Sequence, residues 1–167
     1  ANSKVYDVAD KTPTTFAGNL SSKLKNDIYL KREDLQPIFS FKIRGAYNKI
    51  ASLSPKQQKR GVLTASAGNH AQGVANACKR LKVPCFIVMP VTTPEIKVKS
   101  VKRFGSKVLL HGDNFDQASK KALQMAKEQK LEFIEAFDDP LTIAGQGTVG
   151  KEIFDDDQDL DVNFVRV

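Results

Sequence analysis

The chain has 167 residues, 41% of them hydrophobic, which suffices for one globular domain with a core but not for two full-sized domains. Its 26 Lys and Arg outnumber its 19 Asp and Glu, for a formal net charge of +7. These basic residues are spread through amphipathic segments with few aromatic residues among them. A solvated surface therefore explains them better than a nucleic-acid interface, and a small anionic ligand would suffice as a partner.

No pattern in the sequence is typical of a metal site, a membrane span or a secretory leader. Cys78 and Cys85 belong to no paired ligand motif, so we expect two buried, reduced thiols. His70 and His111 lie too far apart in sequence for their spacing to indicate a zinc site. No apolar run approaches the ~20 residues of a membrane-spanning helix, and the first residues lack an apolar signal core. We therefore expect a soluble intracellular protein without a metal and without a nucleic-acid or membrane partner.

The first predicted elements are a strand and an amphipathic helix. The segment "DIYLKRED", residues 27–34, alternates as a strand does. Ser40 is a suitable N-cap for the helix that follows. The apolar face of that helix has the i, i+3, i+4, i+7 spacing and consists of Ile43, Ala46, Tyr47 and Ile50.

Lys42 stands where an ammonium ion is disfavoured. It lies in the first turn of this helix, behind Phe41 and beside Arg44, and the partial positive charge of a helix N-terminus opposes cations there. A solvated surface lysine is the ordinary alternative. A neutral lysine amine, however, is what Schiff-base chemistry with a carbonyl requires, and pyridoxal phosphate is the common cofactor that uses it.

From about residue 60 the sequence alternates strands with helices, which predicts a parallel, doubly wound α/β sheet with helices on both faces. Thr93 and Pro94 predict the N-cap and first residue of one helix, and Gly105 its end. Asn114 and Gln117 predict a capping box at the start of another. The predicted strands are "GVLTAS", "PCFIVMP", "SKVLLHG" and "LEFIEAF". The predicted helices are "HAQGVANACKRLK", "TPEIKVKSVKRFG" and "FDQASKKALQMAKEQK".

The segment "SAGNHAQG", residues 66–73, falls at the junction of the first of these strands with its helix. Ligands of open α/β sheets bind beyond the carboxyl ends of the strands, and free N–H groups at a helix start attract anions. Small residues would let a carboxylate or phosphate reach the backbone, and two polar side chains follow them: the candidates are Ser66, Ala67, Gly68, Asn69 and His70. An ordinary tight turn with Asn69 as N-cap is an equally good reading of these residues alone.

The segment "GQGTVG", residues 145–150, has the letters of a dinucleotide fingerprint in the wrong context. It follows no clear buried strand, and no second strand with an acidic residue comes after it. We predict a loop that enters a helix, with glycines for close packing. Beyond it, an acidic turn leads to a strand-like run with Val162, Phe164 and Val167, and this abrupt end leads us to expect a fragment of a longer protein.

Four segments, "KREDLQPIFSFKIRGAYN", "SAGNHAQGVA", "IVMPVTTPEIKV" and "IAGQGTVGKEIF", together resemble the biosynthetic threonine dehydratases, also called threonine deaminases. The resemblance runs from about Val5 to Val167. It implies the tryptophan-synthase-β type of pyridoxal-phosphate fold, known as fold type II. The implied division is residues 1–53 as part of a large cofactor domain, 54–150 as a small α/β domain, and 151–167 as a truncated return into the large domain.

The resemblance also implies roles for individual residues. Lys42 would bind the cofactor covalently and act as general base, Phe41 would pack against the cofactor ring, and Asn69 would bond its 3′-oxygen. Residues 66–70 would hold the carboxylate of an amino-acid substrate. The implied reaction is β-elimination from threonine, which yields 2-oxobutanoate and ammonia in the first step of isoleucine biosynthesis.

The sequence departs from the family pattern near its end. The family's glycine-rich phosphate loop follows the segment that corresponds to "VNFVRV", and Arg166 stands where proline is expected. Activity of this chain alone is therefore an open question. A serine dehydratase, a serine racemase, or an inactive binding domain of the same fold are the alternatives. A homo-oligomer is expected for the full-length protein, in the cytoplasm or, after removal of a targeting segment, in an organelle.

Overall fold

A computed structural model describes residues 2–156 and 159–165 of the chain. Its helices are α1 (Asn2–Val5), α2 (Gly18–Leu24), α3 (Lys42–Ala51), α4 (Pro55–Arg60), α5 (Asn69–Leu81), α6 (Glu95–Lys102), α7 (Phe115–Gln129), α8 (Pro140–Gln146) and α9 (Thr148–Asp156). Its strands are β1 (Thr14–Phe16), β2 (Tyr29–Lys31), β3 (Val62–Ala65), β4 (Cys85–Met89), β5 (Lys107–Leu110) and β6 (Glu132–Phe133). A short 3₁₀ turn spans Glu33–Leu35. No helix in the described ranges is long and apolar enough to cross a bilayer.

The predicted parallel sheet is confirmed, with strand order β5-β4-β3-β6. Alternate residues of β3 and β4 point to opposite faces, as the two-residue period of a strand requires. Val62 and Ile87 pack on one side with α5 and α6, whereas Leu63 and Val88 pack on the other side with Ala118 of α7. Helices therefore cover both faces, which explains why β3 is buried along its whole length.

Helix α3 forms a further layer against α5 and α8, and glycines permit the close approach. A Cβ added at Gly145 of α8 would lie 2.7 Å from the Cα of Gly45 in α3. A Cβ added at Gly73 of α5 would lie 2.8 Å from the carbonyl oxygen of Lys42. The segment "GQGTVG" supplies a packing glycine at the end of α8, in agreement with the prediction of close packing. The predicted loop is wrong, because only Gly147 lies outside α8 and α9.

Arg44 lies inside the molecule and is fully buried. Its guanidinium donates to Glu33 at 2.7 Å and to Glu152 at 2.6 Å, and also to the hydroxyl of Thr148 and the carbonyl oxygen of Asp10. Burial acts to lower the pKa of Arg44, but the bonds to the two carboxylates outweigh it and raise that pKa above its ordinary value. Arg44 thus ties α3 to α9 and to the N-terminal segment.

Several details of the predicted elements are wrong. Helix α3 has Phe41 as its N-cap, although the Ser40 hydroxyl still accepts from the N–H of Lys42 at 3.3 Å. Helix α6 begins at Glu95, because Pro94 has an extended backbone (ψ 140°) and its carbonyl accepts from the N–H of Lys97. Thr93 is therefore not the cap, and its hydroxyl is buried without a partner in the described chain.

Other strand and cap predictions hold in part. Asn114 accepts from the N–H of Gln117 at 3.0 Å, but the Gln117 side chain accepts from the N–H of Asp113 instead of from that of Asn114. The predicted strand "LEFIEAF" pairs over only two residues, which form β6. Residues 162–165 form no strand, since they lie without a partner strand among the described residues, and Val167 lies outside those residues.

Candidate functional site

The amino group of Lys42, the first residue of α3, is half-buried between two aromatic rings. Nζ lies 5.3 Å from the ring centroid of Phe41 and 4.5 Å from that of Phe137. It donates a hydrogen bond to the carbonyl oxygen of Ala136 at 3.1 Å. Burial lowers the pKa of Lys42, because removal from water disfavours the ammonium form. Burial therefore shifts Lys42 toward the neutral amine that the sequence predicts.

The backbone before Lys42 is held in an unusual conformation. Phe39 has φ 57°, in the left-handed region that a bulky residue rarely adopts, and its N–H donates to the carbonyl of Gln36 at 2.7 Å. Such conformations persist where the surrounding structure enforces them, and they concentrate at functional sites. This turn fixes the position of Lys42 on one side, and Gly73, which lies against the carbonyl group of Lys42, fixes it on the other.

The loop after β3 consists of the small residues that the sequence singled out, and its turn is closed by Ser66. The Ser66 hydroxyl accepts from the N–H groups of Gly68 and Ala71, at 3.2 Å and 3.3 Å. Gly68 is the N-cap of α5, and a Cβ added there would meet no atom within 4 Å. The alternative in which Asn69 caps the helix is therefore wrong, because Asn69 is the first helical residue and makes no side-chain cap bond.

Free N–H groups remain at this helix start. Within the described chain, the backbone N–H groups of Asn69 and His70 donate to no protein acceptor. The side chain of Asn69 is exposed beside them. A helix start with unpaired N–H groups and open space at Gly68 has the geometry that attracts a carboxylate or phosphate.

His70 is buried just inside α5, and it is a neutral imidazole. Its Nε2 lies 3.1 Å from the carbonyl oxygen of Ile134, so Nε2 carries the proton and donates. The pKa of His70 is lowered to about 4, chiefly by burial and also by the charge of Lys42, while the bond to the Ile134 carbonyl acts in the opposite direction. Its Nδ1 is buried without a partner among the described residues. The imidazole therefore lies within electrostatic reach of Lys42.

The structure brings Phe41, Lys42 and His70 together and places Ser66, Ala67, Gly68 and Asn69 on the adjoining loop. Two further contacts of Lys42, Ala136 and Phe137, were missed from the sequence. They follow β6, the neighbour of β3 in the sheet. The signal was available, because carboxyl ends of adjacent parallel strands meet at one edge of a sheet.

The donor set fits an aromatic aldehyde cofactor better than a metal ion. Lys42 offers an amine of lowered pKa to the aldehyde, Phe41 offers a ring beside it, and Nδ1 of His70 is an orphaned polar atom nearby. No three His, Cys, Asp or Glu side chains within residues 2–156 and 159–165 converge as ligands of a metal ion. Pyridoxal 5′-phosphate is a cofactor of this chemical type.

Comparisons with known proteins agree with this fit. Residues 5–167 match the family of the pyridoxal-phosphate dependent enzymes. A biosynthetic L-threonine dehydratase of Haemophilus influenzae is 54% identical over 165 residues, which are 99% of this chain and 32% of the relative. A mitochondrial threonine dehydratase of Schizosaccharomyces pombe is 57% identical over 151 residues, which are 90% of this chain and 25% of the relative.

Solved structures share the fold. The processed form of threonine deaminase isoform 2 from Solanum lycopersicum superposes with a TM-score of 0.91 at 49% identity, over 95% of this chain and 44% of that one. Maize serine racemase also superposes with a TM-score of 0.91, at 30% identity, over 96% of this chain and 49% of that one. The chain thus spans between a quarter and a half of the length of these relatives. With the family match over nearly its whole length, this chain belongs to the pyridoxal-phosphate dependent enzymes.

Proposed function

We propose that the complete protein to which these residues belong is a pyridoxal-phosphate dependent threonine dehydratase. It would convert L-threonine to 2-oxobutanoate and ammonia, in the first step of isoleucine biosynthesis. The observation that carries the proposal is the half-buried amine of Lys42, of lowered pKa, beside a loop with free N–H groups. Identities of 54% and 57% to two threonine dehydratases support the substrate.

Lys42 has two tasks in this proposal. Its neutral amine would hold the cofactor through the aldehyde carbon, and Nζ would take the proton from the substrate Cα during turnover. The bound cofactor supplies the electron sink for that step. Lowering the pKa of Lys42 serves both tasks, since an ammonium ion can neither bond to a carbonyl carbon nor accept a proton.

The loop of residues 66–70 orients the substrate. The free N–H groups of Asn69 and His70 would bind the substrate carboxylate, and the exposed Asn69 carboxamide would bond the 3′-oxygen of the cofactor. The ring of Phe41 would cover one face of the cofactor beside Lys42. Neutral His70 adds no positive charge next to Lys42, so burial is the cause of the lowered pKa of Lys42.

A serine-specific enzyme is the second candidate, favoured by the superposition on maize serine racemase. That structure is 30% identical, against 49% for the threonine deaminase of Solanum lycopersicum at the same TM-score of 0.91. The identities rank threonine above serine as substrate. An inactive binding domain of this fold is the third candidate, and turnover by the complete protein distinguishes it from the two enzymes.

The organisation of the complete protein is part of the proposal. We assign residues 1–53 and 151–167 to a large domain and residues 54–150 to a small one, and we expect a homo-oligomer. The relatives of Schizosaccharomyces pombe and Solanum lycopersicum are named mitochondrial and chloroplastic. We propose a cytoplasmic location for a bacterial protein and an organellar one for a eukaryotic protein.

Substrate turnover by the complete protein tests this function. We expect an absorbance band from bound pyridoxal phosphate, ammonia release from both amino acids, and a higher kcat/KM for threonine than for serine. A higher kcat/KM for serine would transfer the assignment to the second candidate. A protein that binds no pyridoxal phosphate would rule out both enzymatic readings.

A further inference from the structure

Residues 134–139 connect β6 to α8 and pass over the amine of Lys42, and we call them the 134–139 strap. The carbonyl oxygen of Ala136 accepts a hydrogen bond from Nζ of Lys42 at 3.1 Å. The ring centroid of Phe137 lies 4.5 Å from the same nitrogen. Residues 134–139 belong to no helix or strand. Bonds at the two ends of the strap therefore have to fix these contacts, since no regular backbone ladder does so.

The first end of the 134–139 strap is bonded to the core of the sheet. The N–H of Ile134 donates to the carbonyl oxygen of Leu63 at 2.8 Å. The carbonyl oxygen of Ile134 accepts from the hydroxyl of Thr64 at 2.9 Å and from Nε2 of His70 at 3.1 Å. Ile134 is fully buried. These bonds hold the strap two residues before Ala136.

The other end of the 134–139 strap is held through the carboxylate of Asp139. Its Oδ1 accepts from the N–H groups of Leu141 and Thr142, both at 2.9 Å, and so caps α8. Its Oδ2 forms an ion pair with Nζ of Lys49 at 2.7 Å, and the two side chains are 15% and 13% exposed. Lys49 belongs to α3, the helix that begins at Lys42. Asp139 thus joins the end of the strap to the helix that carries the lysine.

Asp139 is a carboxylate in this arrangement. Burial acts to raise its pKa, but the bonds from Lys49 and from the N–H groups of α8 outweigh burial and lower the pKa below its ordinary value. Glu132 is a second carboxylate near Lys49, at the longer distance of 3.8 Å. Asp139 is therefore the closer partner of Lys49.

We propose that Asp139 is a positioning residue for the reaction, because it holds the strap so that Ala136 and Phe137 keep the Lys42 amine in one place. The inference rests on the proposed role of Lys42. That amine has to reach both the cofactor aldehyde and the substrate Cα, and a misplacement of about 1 Å costs on the order of 10²-fold in rate. No bond joins Asp139 to Lys42 within the described chain, so Asp139 acts through the strap.

The protonation of the Lys42 amine in the complete, cofactor-free protein tests the proposal. Competitive acetylation with peptide mass spectrometry gives the reactivity of Lys42 against pH, and the midpoint of that profile is its pKa. In Asp139→Ala the strap loses both the cap and the ion pair, and water reaches the amine. We expect the midpoint to move to higher pH, so that the neutral fraction below the midpoint falls by about threefold. Asp139→Asn keeps a good N-cap and should restore most of the parent profile.

Two further variants separate positioning from general stability. Lys49→Gln removes only the ion pair, so its midpoint should move in the same direction by a smaller amount. Asn114→Ala is the matched control, because it removes the cap of α7 instead of α8 and should leave the midpoint unchanged.

An unchanged midpoint in Asp139→Ala, or an equal shift in Asn114→Ala, would overturn the proposal. If Asp139→Ala does not fold, an unchanged midpoint in Lys49→Gln overturns it instead. The labelled protein contains no cofactor and turns over no substrate. Failure of the positioning role is therefore distinguishable from failure of the proposed function, which cofactor binding and turnover test separately.

Discussion

Gly73 of α5 lies directly against the backbone of Lys42, the first residue of α3. A Cβ at position 73 would approach the Lys42 carbonyl oxygen to 2.8 Å and the N–H nitrogen of Ile43 to 3.3 Å. This contact brings the start of α5, with its free N–H groups, next to the lysine. Glycine at position 73 thus allows the loop of residues 66–70 to lie close to the amine of Lys42.

Gly73→Ala should therefore destabilise the protein and displace Lys42. Backbone atoms cannot yield as a flexible side chain can, so we expect a loss of about 1–3 kcal/mol in the free energy of unfolding, measured by urea denaturation. Gly150→Ala is the matched control, because a Cβ there meets no atom within 4 Å and alanine favours a helix. Equal stability of the two variants would mean that α3 and α5 are not in close contact.

Glu152→Gln should remove a stabilising contribution that depends on pH. Burial acts to raise the pKa of Glu152, but bonds to Arg44, Tyr6 and Lys31 outweigh it, and the pKa lies below its ordinary value. The unfolded chain then binds the proton at higher pH than the folded one, so the contribution is present above the unfolded pKa, about 4.5, and is lost as pH falls through the folded pKa. We expect the free energy of unfolding to fall by about 3 kcal/mol near neutral pH, because the buried Arg44 guanidinium loses one of its two carboxylate partners.

Urea denaturation across pH 3–6 measures this effect. The difference between the parent protein and Glu152→Gln should shrink as the solution becomes more acidic than about pH 4.5. Glu95→Gln is the matched control, because the Glu95–Lys99 pair is exposed and contributes little. A difference that stays constant over the whole pH range would show that folding does not lower the pKa of Glu152.

Asn69→Ala should lower turnover and leave stability unchanged. The side chain makes no capping bond, so its loss does not weaken α5, whereas a group that orients the cofactor contributes on the order of 10²-fold to the rate. Asn114→Ala provides the converse case, since it removes a helix cap and should cost about 1 kcal/mol of stability without an effect on kcat. Unaltered kinetics in Asn69→Ala would assign residues 66–70 to a purely structural turn.

The sequence predicted the elements whose signals are local. The alternation of β3, α5, β4 and α6 can be predicted from periodicity, because the apolar residues of each segment recur at the spacing of its own secondary structure. Lys42 could be singled out for the same reason, since a cation in the first turn of a helix is unfavourable within its own segment. The side chains that surround Lys42 come from other segments of the chain, and the sequence did not identify them all.

Contacts between segments that lie far apart in sequence were not predicted. Arg44 was interpreted as a second cation beside Lys42, yet its partners Glu33 and Glu152 lie 11 and 108 positions away. Phe137, whose ring lies 4.5 Å from the amino group of Lys42, stands at the end of the predicted strand "LEFIEAF", but its contact with Lys42 was not predicted. Strand β1, which pairs with β2, was missed because its three residues are too few to show a clear period.

Lys42 is the residue that we propose binds pyridoxal phosphate covalently. Borohydride reduction of the complete protein with its cofactor, followed by peptide mass spectrometry, tests this assignment. We expect one phosphopyridoxyl group per chain on the peptide that contains Lys42, its loss in Lys42→Ala, and its retention in the exposed-lysine control Lys56→Ala. An unchanged level of adduct in Lys42→Ala, or an adduct on another peptide of the parent protein, would contradict the account.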